Sequence, residues 1–394
     1  MKRRSEAGQT IALVALGMLT FLAAAGLAVD MGYMRYEKRI MQAAADSAAI
    51  AAATDRNLGE AAMENADALA VAEANGFQNG VNNTTVTISH PVVDPASAVR
   101  VSIQQVLPSI FMKALGINTS TIAAAAVATV GTSNGCMYAL QVSGAGLTVN
   151  SILGINAPNC GVLDNGPLNG PGDITAASLG VYGSFAGFGG LSSPGPVESI
   201  AQPAADPLAY LTPPAPGTCL LDPMVGAGAV ILSPGTYCPG ITITGGTVTF
   251  GPGLYILNGA TGLQISGTGS AVSTAPGVTF YNMGTGAITF AGTGTVTLDA
   301  STVDLIPLPP GILFYQDPAD TAPGDVSLGG TGNANLSGTL YFPGAPLTIA
   351  GSLNPSANTP VVAQSITVTG SVVMNADSTS VPGGSPLRTV TLVE

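Results

Sequence analysis

The pattern of apolar and polar residues at the N-terminus predicts one long helix. The segment from Ile11 to Val29 carries no charged side chain, and Leu19 lies near its centre. At about 1.5 Å per residue, its length matches a hydrocarbon core of roughly 30 Å, which predicts a membrane span. Beyond Asp30 an Ala-rich run without proline keeps a high helix propensity up to Asn57. A large part of the helix is therefore expected to extend outside the membrane.

Residues 57 to 131 predict a small α/β unit. Asn57 followed by Glu60 resembles a capping box for a helix over 61–74, which Gly76 ends. Alternating segments predict strands at 86–89, 98–104 and 122–130, with a short helix at 108–115. This unit is expected to pack against the half of the long helix that lies outside the membrane.

From Cys136 onward, short apolar strands alternate with Gly-, Asn- and Pro-rich turns. Equivalent strand positions recur every 22 to 25 residues, at Ile241, Leu263, Ile288, Ile312, Leu336 and Val361. This period suits one coil of a β-helix, because each coil stacks its inward apolar side chains on the next. The chain is thus predicted to be mainly β, with a right-handed parallel β-helix. An antiparallel β-sandwich is the alternative, since frequent turns suit both, but two-residue Asn-Gly or Asp-Gly hairpin turns are scarce.

Composition and turn signals divide the chain into five segments. Gly183 to Pro203 is expected to be an exposed loop that leads into a Pro-rich connection. The predicted segments are the anchor and long helix 1–56, the α/β unit 57–131, a first β-solenoid segment 132–202, the connection 203–217 and the main β-helix 218–394.

The charge distribution is strongly asymmetric. The net charge is −12, seven of the ten basic residues lie within the first 56 positions, and after Lys113 only Arg388 remains. A nucleic-acid surface needs clustered Lys and Arg, so the β region is not expected to bind nucleic acid.

Four cysteines, Cys136, Cys160, Cys219 and Cys238, lie in the β region, and none precedes it. An even number indicates two disulfides in an oxidising compartment. Closeness in sequence favours the pairs Cys136–Cys160 and Cys219–Cys238. The two other connectivities and four free buried thiols remain open. Their spacing is unlike that of zinc sites.

The N-terminal segments together carry a family resemblance. The elements are the basic tail Lys2 to Arg4, Gly8, the Gly-x-x-x-Asp pattern from Gly26 to Asp30, the aromatic-basic turn from Tyr33 to Arg39, and the run from Gln42 to Ala53. They resemble the N-terminal segment of TadG-like proteins, which belong to the assembly machinery of the Flp or tight-adherence (Tad) pilus. Phrases such as CMYALQVSGAGLTVN and GTLYFP resemble the extended C-terminal regions attached to some TadG-like segments.

The resemblance implies a membrane-anchored accessory or structural component of pilus assembly and no catalytic residue. Together with the apolar span, it predicts a single-pass protein of the bacterial inner membrane, and the four cysteines indicate that the C-terminal region lies in the periplasm or at the cell surface. Its expected partners are other Tad assembly proteins, and the N-terminal helix is expected to allow lateral self-association.

Two other interpretations of the apolar segment stay open. Ala23 to Ala25 could form the cleavage site of a secretory signal, although the apolar run continues to Val29. Gly8 could mark a prepilin-type cleavage site, but Leu13 occupies the position where a Glu is usual. Basic residues flank the span on both sides, so they do not decide its orientation.

No catalytic constellation is evident in the β region. His90 is the sole histidine of the chain and lies before it, and no lysine follows Lys113. Glycosidases need paired carboxylates, and lyases need a base beside their Ca²⁺ ligands. The chain is therefore expected to be no enzyme and to need no cofactor; a carbohydrate-active β-helix enzyme is the least favoured alternative.

Three groups of side chains remain as weaker ligand candidates. Asp317, Asp320 and Asp325 share one loop that could hold Ca²⁺, and Asp299 and Asp304 flank Ser301 and Thr302 in another. The pairs Thr242/Thr244, Thr247/Thr249, Thr295/Thr297 and Thr367/Thr369 place two hydroxyls on the outside of a strand. Stacked rows of this kind would suit a surface adhesin that binds a sugar or ice, although outward Thr is also common in strands.

Overall fold

The structure is a computed structural model that forms two compact units. It describes residues 7–91, 97–186, 190–192, 197–200, 202–220, 223–330, 334–350, 352–355, 359–374 and 384–393. The first unit comprises Met1–Gly131 with Val390–Glu394, and the second comprises Thr132–Thr389.

The first unit pairs two helices with a four-stranded sheet. The two are the α-helices α1 (Ala7–Asn57) and α2 (Glu64–Ala74), and a short 3-10 helix covers Met112–Leu115. Its strands follow the sheet order Thr84–Ser89, Ala98–Pro108, Thr119–Thr132 and Arg388–Val393. The first three strands pair in antiparallel fashion. The last strand therefore belongs to this sheet, although the sequence assigned residues up to 394 to the β-helix.

The second half of α1 packs on this sheet through an alanine stripe. The stripe recurs at three- and four-residue intervals, so it lies on one helix face. Its members Ala44, Ala45, Ala48, Ala49, Ala52 and Ala53 are 0% exposed and share a core with Val99, Val101 and Ile103. The small side chains bring the helix close to the sheet, as expected from the sequence.

The predicted capping box is wrong. Asn57 ends α1, and α2 begins at Glu64 with Met63 at its N-cap and no side-chain cap. Gly76 ends α2 as predicted: it adopts φ = 93°, and its N–H donates to the Glu73 carbonyl. The 3-10 helix starts later than predicted, because Pro108 is still the last residue of a strand.

The second unit is a parallel β-helix with three strand faces, which excludes the antiparallel sandwich. The first face, called the tyrosine face, contains Gly135–Ala139, Val197–Ser199, Cys219–Leu220, Gly235–Tyr237, Gly253–Leu257, Val278–Asn282 and Ile312–Gln316. The second face contains Leu147–Val149, Leu168–Asn169, Phe185–Ala186, Met224–Val225, Gly240–Ile243, Gly262–Ile265, Ile288–Phe290 and Val326–Leu328. The third face contains Gly190–Ser192, Ala229–Leu232, Thr247–Phe250, Ser270–Ser273, Val296–Asp299, Ala334–Ser337, Ser352–Pro355 and Ser371–Val373. Four longer strands bend from one face to another, namely Ile155–Asp164, Asp173–Val181, Thr339–Ile349 and Val361–Val368.

The first coil of this unit lies in the middle of the stack of coils. The strand Val361–Val368 pairs with Gly135–Ala139 and Leu147–Val149, so a coil near the C-terminus stacks directly on the first coil. The segments predicted separately as 132–202 and 218–394 therefore form one continuous stack. Gly190–Ser192 and Val197–Ser199 are strands that pair with Asp173–Val181. The loop expected at 183–203 is thus partly a further coil, and the rest of that range lies partly outside the described residues.

The predicted stack of apolar positions is correct for three coils and then changes partner. Ile241 lies beside Leu263, and Leu263 lies beside Ile288. The next neighbour of Ile288 is Val326. Ile312, Leu336 and Val361 are buried, but they belong to other strands and other stacks. The reason is the longer connection between Asp299 and Ile312, which breaks the regular period.

A cross-coil segment, residues 203–217, runs along the tyrosine face. The Ala204 amide bonds the Asn165 side chain, the Leu211 carbonyl accepts from Tyr315, and the Gly217 amide donates to Thr236. Successive residues of the segment thus meet successive coils. Its Leu208 and Leu211 are buried in a cluster with the outward tyrosines Tyr138, Tyr281, Tyr315 and Tyr341. The segment predicted as a connection is thus packed into a hydrophobic cluster.

Candidate functional site

The first half of α1 is an exposed apolar surface. Ile11, Leu19 and Val29 are 72%, 72% and 52% exposed. Among the helices that the structure describes, α1 alone is long and apolar enough to cross a membrane by length and composition. The basic tail Lys2 to Arg4 lies outside the described residues. Because the second half is buried by the α/β unit, one continuous helix joins an uncovered apolar surface to a folded core.

The boundary between these halves is held by Gly26 and Asp30. The buried Asp30 carboxylate accepts the backbone N–H groups of Ile110 at 3.2 Å, Phe111 at 2.9 Å and Met112 at 2.7 Å. A Cβ at Gly26 would lie 3.0 Å from the Phe111 side chain. The four-residue spacing puts Gly26 and Asp30 on the same helix face. Glycine therefore leaves room for the loop, and the carboxylate caps the start of its 3-10 helix.

A polar cluster closes the other end of this core. Arg56 lies 3.0 Å from Glu64, and His90 lies 3.5 Å from the same carboxylate. Burial and the neighbouring Asp67 carboxylate raise the pKa of Asp55. Among the described residues, no group of three or more His, Cys, Asp or Glu is arranged to hold a metal ion. The cluster therefore joins α1 to α2 and to the edge of the sheet.

The four cysteines form two disulfides, Cys136–Cys160 and Cys219–Cys238. These are the pairs that closeness in sequence favours. The paired Cα atoms are 5.7 Å and 5.6 Å apart. Cys136 and Cys160 are both buried in the core of the β-helix. Each bridge therefore joins neighbouring coils and closes a short loop.

The tyrosine face holds the cross-coil segment through one carboxylate. Asp206 accepts a hydrogen bond from the Tyr341 hydroxyl at 2.7 Å. Burial raises the pKa of Asp206, while its bonds to the Leu208 amide and Tyr341 lower it. Arg388 lies over the ring of Tyr210 at 3.7 Å from the centroid. Each of these polar groups is used in holding the segment.

Asp164 is a carboxylate inside the β-helix. It is 0% exposed, and it accepts the backbone N–H groups of Leu147 at 3.1 Å and Gly166 at 2.9 Å. Burial raises its pKa to about 6. It lies next to Ala139 in the parallel register. Asp164 thus bridges two turns of neighbouring coils.

The acidic loop that the sequence named as a Ca²⁺ candidate is occupied by its own bonds. Asp317 accepts the Tyr281 hydroxyl at 2.8 Å and the Ala319 amide at 2.9 Å. Asp320 accepts the Ala322 amide at 3.0 Å. Among the described residues, Asp325 does not join Asp317 and Asp320 in a group arranged to hold a metal ion. This loop therefore has a structural account without a ligand.

The second loop borders a cavity of about 310 Å³ that contains Asp299, Ser301 and Thr302. The Ser301 hydroxyl donates to the Val303 carbonyl at 2.8 Å, and Thr302 donates to the Pro276 carbonyl at 3.2 Å. Asp304 is exposed outside that lining. The hydroxyls are thus engaged by the backbone, and the described lining offers one carboxylate without a basic partner.

The threonine pairs lie on two faces and do not stack directly on one another. Thr242 neighbours Gln264 on the second face, whereas Thr249 neighbours Val272 on the third. The outward row of the second face is nevertheless polar and uncharged through Thr242, Gln264, Thr289, Ser327, Thr348, Thr367 and Thr148. The two-hydroxyl array expected of an adhesin is therefore interrupted.

Two protein-family models match the N-terminal part of the chain. The model of the Flp pilus-assembly TadE/G-like family matches residues 8–55, and that of the Tad-like Flp pilus-assembly family matches residues 36–128. These matches over residues 8–128 support a TadG-like protein of the Tad pilus. They also support a role related to Flp pili. Neither match extends into the β-helix, and no curated protein and no solved structure matches the chain.

The matched Tad segment contains both halves of α1, the Gly26–Asp30 pair and the loop that this pair holds. The sequence pointed to Gly26 and Asp30 through the family resemblance, but it did not reveal their partner loop. It also missed the outward tyrosines. The available signal was the repeated apolar-Tyr dipeptide at Met137-Tyr138, Phe280-Tyr281, Phe314-Tyr315 and Leu340-Tyr341.

Proposed function

We propose that this TadG-like protein is a non-enzymatic, single-pass protein of the bacterial inner membrane that acts as an accessory or structural component of pilus assembly. The observation that carries the proposal is the division of α1. The large apolar side chains described between Ile11 and Val29 are exposed, whereas the alanine stripe of the same helix is buried. A helix with this division suits an anchor that continues into a folded domain.

The position of Gly26 and Asp30 supports an uncut anchor over a cleaved signal. Cleavage after Ala25 would separate the apolar segment immediately before Gly26. Ala25 is exposed, but it lies within the continuous helix Ala7–Asn57. Signal cleavage acts on an extended chain, whereas this segment is helical.

The two disulfides support export of the β-helix. Disulfides persist in the periplasm and at the cell surface and are rare in the cytosol. With one span, export of Cys136 and Cys160 places the whole chain after Val29 on the exported side. The disulfides therefore favour one orientation of the span, which the flanking basic residues leave undecided.

The β-helix then serves as a rigid, disulfide-linked structural element. Several of its described side chains use their hydroxyls and carboxylates in bonds within the fold, including Asp206, Asp317 and Ser301. The alanine stripe of α1 is covered within its own unit, so lateral self-association would use the exposed span. Contacts with other Tad assembly proteins would use surfaces outside the membrane.

The anchor is tested by replacing Leu19. A Leu19→Asp change places a carboxylate at the centre of the span and should cost roughly 3 kcal/mol of insertion energy. We expect it to release or destabilise the protein, measured as protein recovered in washed membranes. Leu19→Val is the matched control. Native protein found in the soluble periplasm with a new N-terminus at Gly26 would contradict the anchor.

The assembly role is tested by crosslinking in native membranes followed by purification of the chain. Recovery of Tad assembly proteins in the crosslinked product supports the accessory role. A product that contains the chain alone, with pili assembled normally in its absence, would contradict it.

A further inference from the structure

The loop that Asp30 holds against α1 exposes a group of apolar side chains. Ile110, Phe111, Leu115 and Ile117 are 55%, 51%, 65% and 46% exposed. A surface loop normally presents polar residues, and a contiguous apolar group of this kind indicates a contact surface. Sequence patterning predicted only a short helix in this segment.

The contact with Gly26 fixes the level of this loop along α1. Phe111 packs on the helix at Gly26. A Cβ atom added at Gly26 would lie 3.0 Å from the Phe111 side chain. Gly26 precedes Val29 by three residues, so it lies about 4.5 Å inside the end of the apolar segment. Once α1 spans the bilayer, Phe111 therefore lies at or below the boundary of the hydrocarbon core.

The neighbouring side chains have the chemistry of a membrane interface. Lys113 is exposed in the same loop, and Arg35 follows Val29 on α1. Tyr33 and Tyr36 are 37% and 62% exposed. Tyrosines concentrate at the headgroup level, and long basic side chains extend towards lipid phosphates. The loop thus places apolar groups at acyl-chain depth with cations close to the headgroups.

We infer that residues 110–117 form a second membrane contact, which inserts into the leaflet in which the apolar segment of α1 ends at Val29. Its ligand is phospholipid: Ile110, Phe111, Leu115 and Ile117 enter the upper acyl-chain region, and Lys113 faces the phosphates. The inference rests on the membrane anchorage proposed above. A single helix can tilt in a bilayer, whereas a second contact at a set depth restricts this tilt. The loop therefore sets the orientation of the α/β unit on the membrane.

The absence of tryptophan from the chain allows a direct test. Leu115→Trp introduces one indole at a 65% exposed position, where it disturbs no packing. Leu19→Trp reports on the span. Ile50→Trp is the control, since Ile50 is 40% exposed on α1 and lies about 30 Å beyond Val29. Each full-length variant is reconstituted into phosphatidylcholine and phosphatidylglycerol vesicles that carry bromine either near the headgroup or deep in the acyl chains.

We expect Leu115→Trp to lose most of its emission to shallow bromine and less to deep bromine. Leu19→Trp should be quenched more by deep bromine, and Ile50→Trp should respond to aqueous iodide alone. A Leu115→Trp signal that behaves like Ile50→Trp, with Leu19→Trp still quenched by lipid, overturns the inference and leaves the anchor intact. Loss of lipid quenching in Leu19→Trp contradicts the anchorage itself. A Leu115→Trp indole that is protected from both quenchers indicates a protein partner and also overturns the inference.

Discussion

The Asp30 carboxylate accepts a hydrogen bond from the Met112 amide at 2.7 Å and thereby joins residues 82 positions apart. Two further amides, those of Ile110 and Phe111, share the same carboxylate. The bond forms where the apolar half of α1 meets the half that is packed in the α/β unit. Asp30 thus links the span to the folded unit without adding an exposed charge.

Replacing Asp30 by Asn should loosen this loop. Asn offers one acceptor oxygen and points an NH₂ donor at backbone amides, so we expect a loss of roughly 2 kcal/mol of local stability. Hydrogen exchange at the amides of Ile110, Phe111 and Met112 should accelerate accordingly. Asp46→Asn is the control, because Asp46 bonds Gln42 within α1. Unchanged exchange at the three amides would show that the carboxylate is dispensable.

Replacing Tyr341 by Phe should weaken the attachment of the cross-coil segment. The change leaves the Asp206 carboxylate with one partner fewer in a partly buried position, which should cost roughly 2 kcal/mol. Tyr315→Phe removes a longer bond of 3.3 Å to the neutral Leu211 carbonyl and should cost less. Denaturant unfolding of both variants measures the difference. Equal losses in the two variants would argue against a special role for the Asp206 carboxylate.

A charge at Ile288 should disrupt the β-helix. Ile288 is 0% exposed and lies between Leu263 and Val326, so Ile288→Asp buries an unpaired carboxylate or forces its protonation. We expect a loss of about 4 kcal/mol or more in the free energy of unfolding. The adjacent Thr289→Asp points outward and should change it by roughly 1 kcal/mol at most. Similar losses in the two variants would contradict the assigned inward register.

Asp164 predicts a pH dependence of stability. Its pKa rises from the usual 3.8 to about 6 in the folded chain, so the folded state binds more protons between these values. This contribution is fully present below pH 4 and is lost as the pH rises towards 6, by about 3 kcal/mol in total. Asp164→Asn removes the titration. The difference in stability between the native chain and Asp164→Asn, measured by thermal unfolding from pH 4 to 7, should therefore vary with pH. A constant difference would show that Asp164 titrates normally.

Removing the Cys136–Cys160 disulfide should destabilise the β-helix. The bridge closes a loop with a sequence separation of 24, for which the loss of chain entropy predicts about 3 kcal/mol. The double change to Ala should lower the denaturant midpoint by a corresponding amount. Peptide mapping of the native protein without reduction should recover Cys136 linked to Cys160 and Cys219 linked to Cys238. Four alkylatable thiols in protein purified from the envelope would contradict both bridges and the export of the β-helix.

Local periodicity in the sequence was enough to predict the type of each major element. The apolar run and the alanine-rich run predicted α1 because helix formation depends on neighbours three and four residues apart. The strands predicted at 86–89, 98–104 and 122–130 lie within observed strands because alternation specifies a strand by itself. The recurrence of Ile241, Leu263 and Ile288 reflected a real stack for the same reason: short, equal coils keep their period in sequence.

Only the tertiary structure decided which distant segments meet. The coil that contains Ile366 stacks on Leu147, a pairing between residues from opposite ends of the unit that no local pattern encodes. The long connection before Ile312 shifted the register of the predicted stack, since a period in sequence is lost wherever one coil is longer. The Gly26–Asp30 spacing showed a common helix face but not the loop at Phe111 that covers it. Such contacts depend on the free energy of burying complementary surfaces from separate segments, and this quantity becomes defined only when the chain has brought them together.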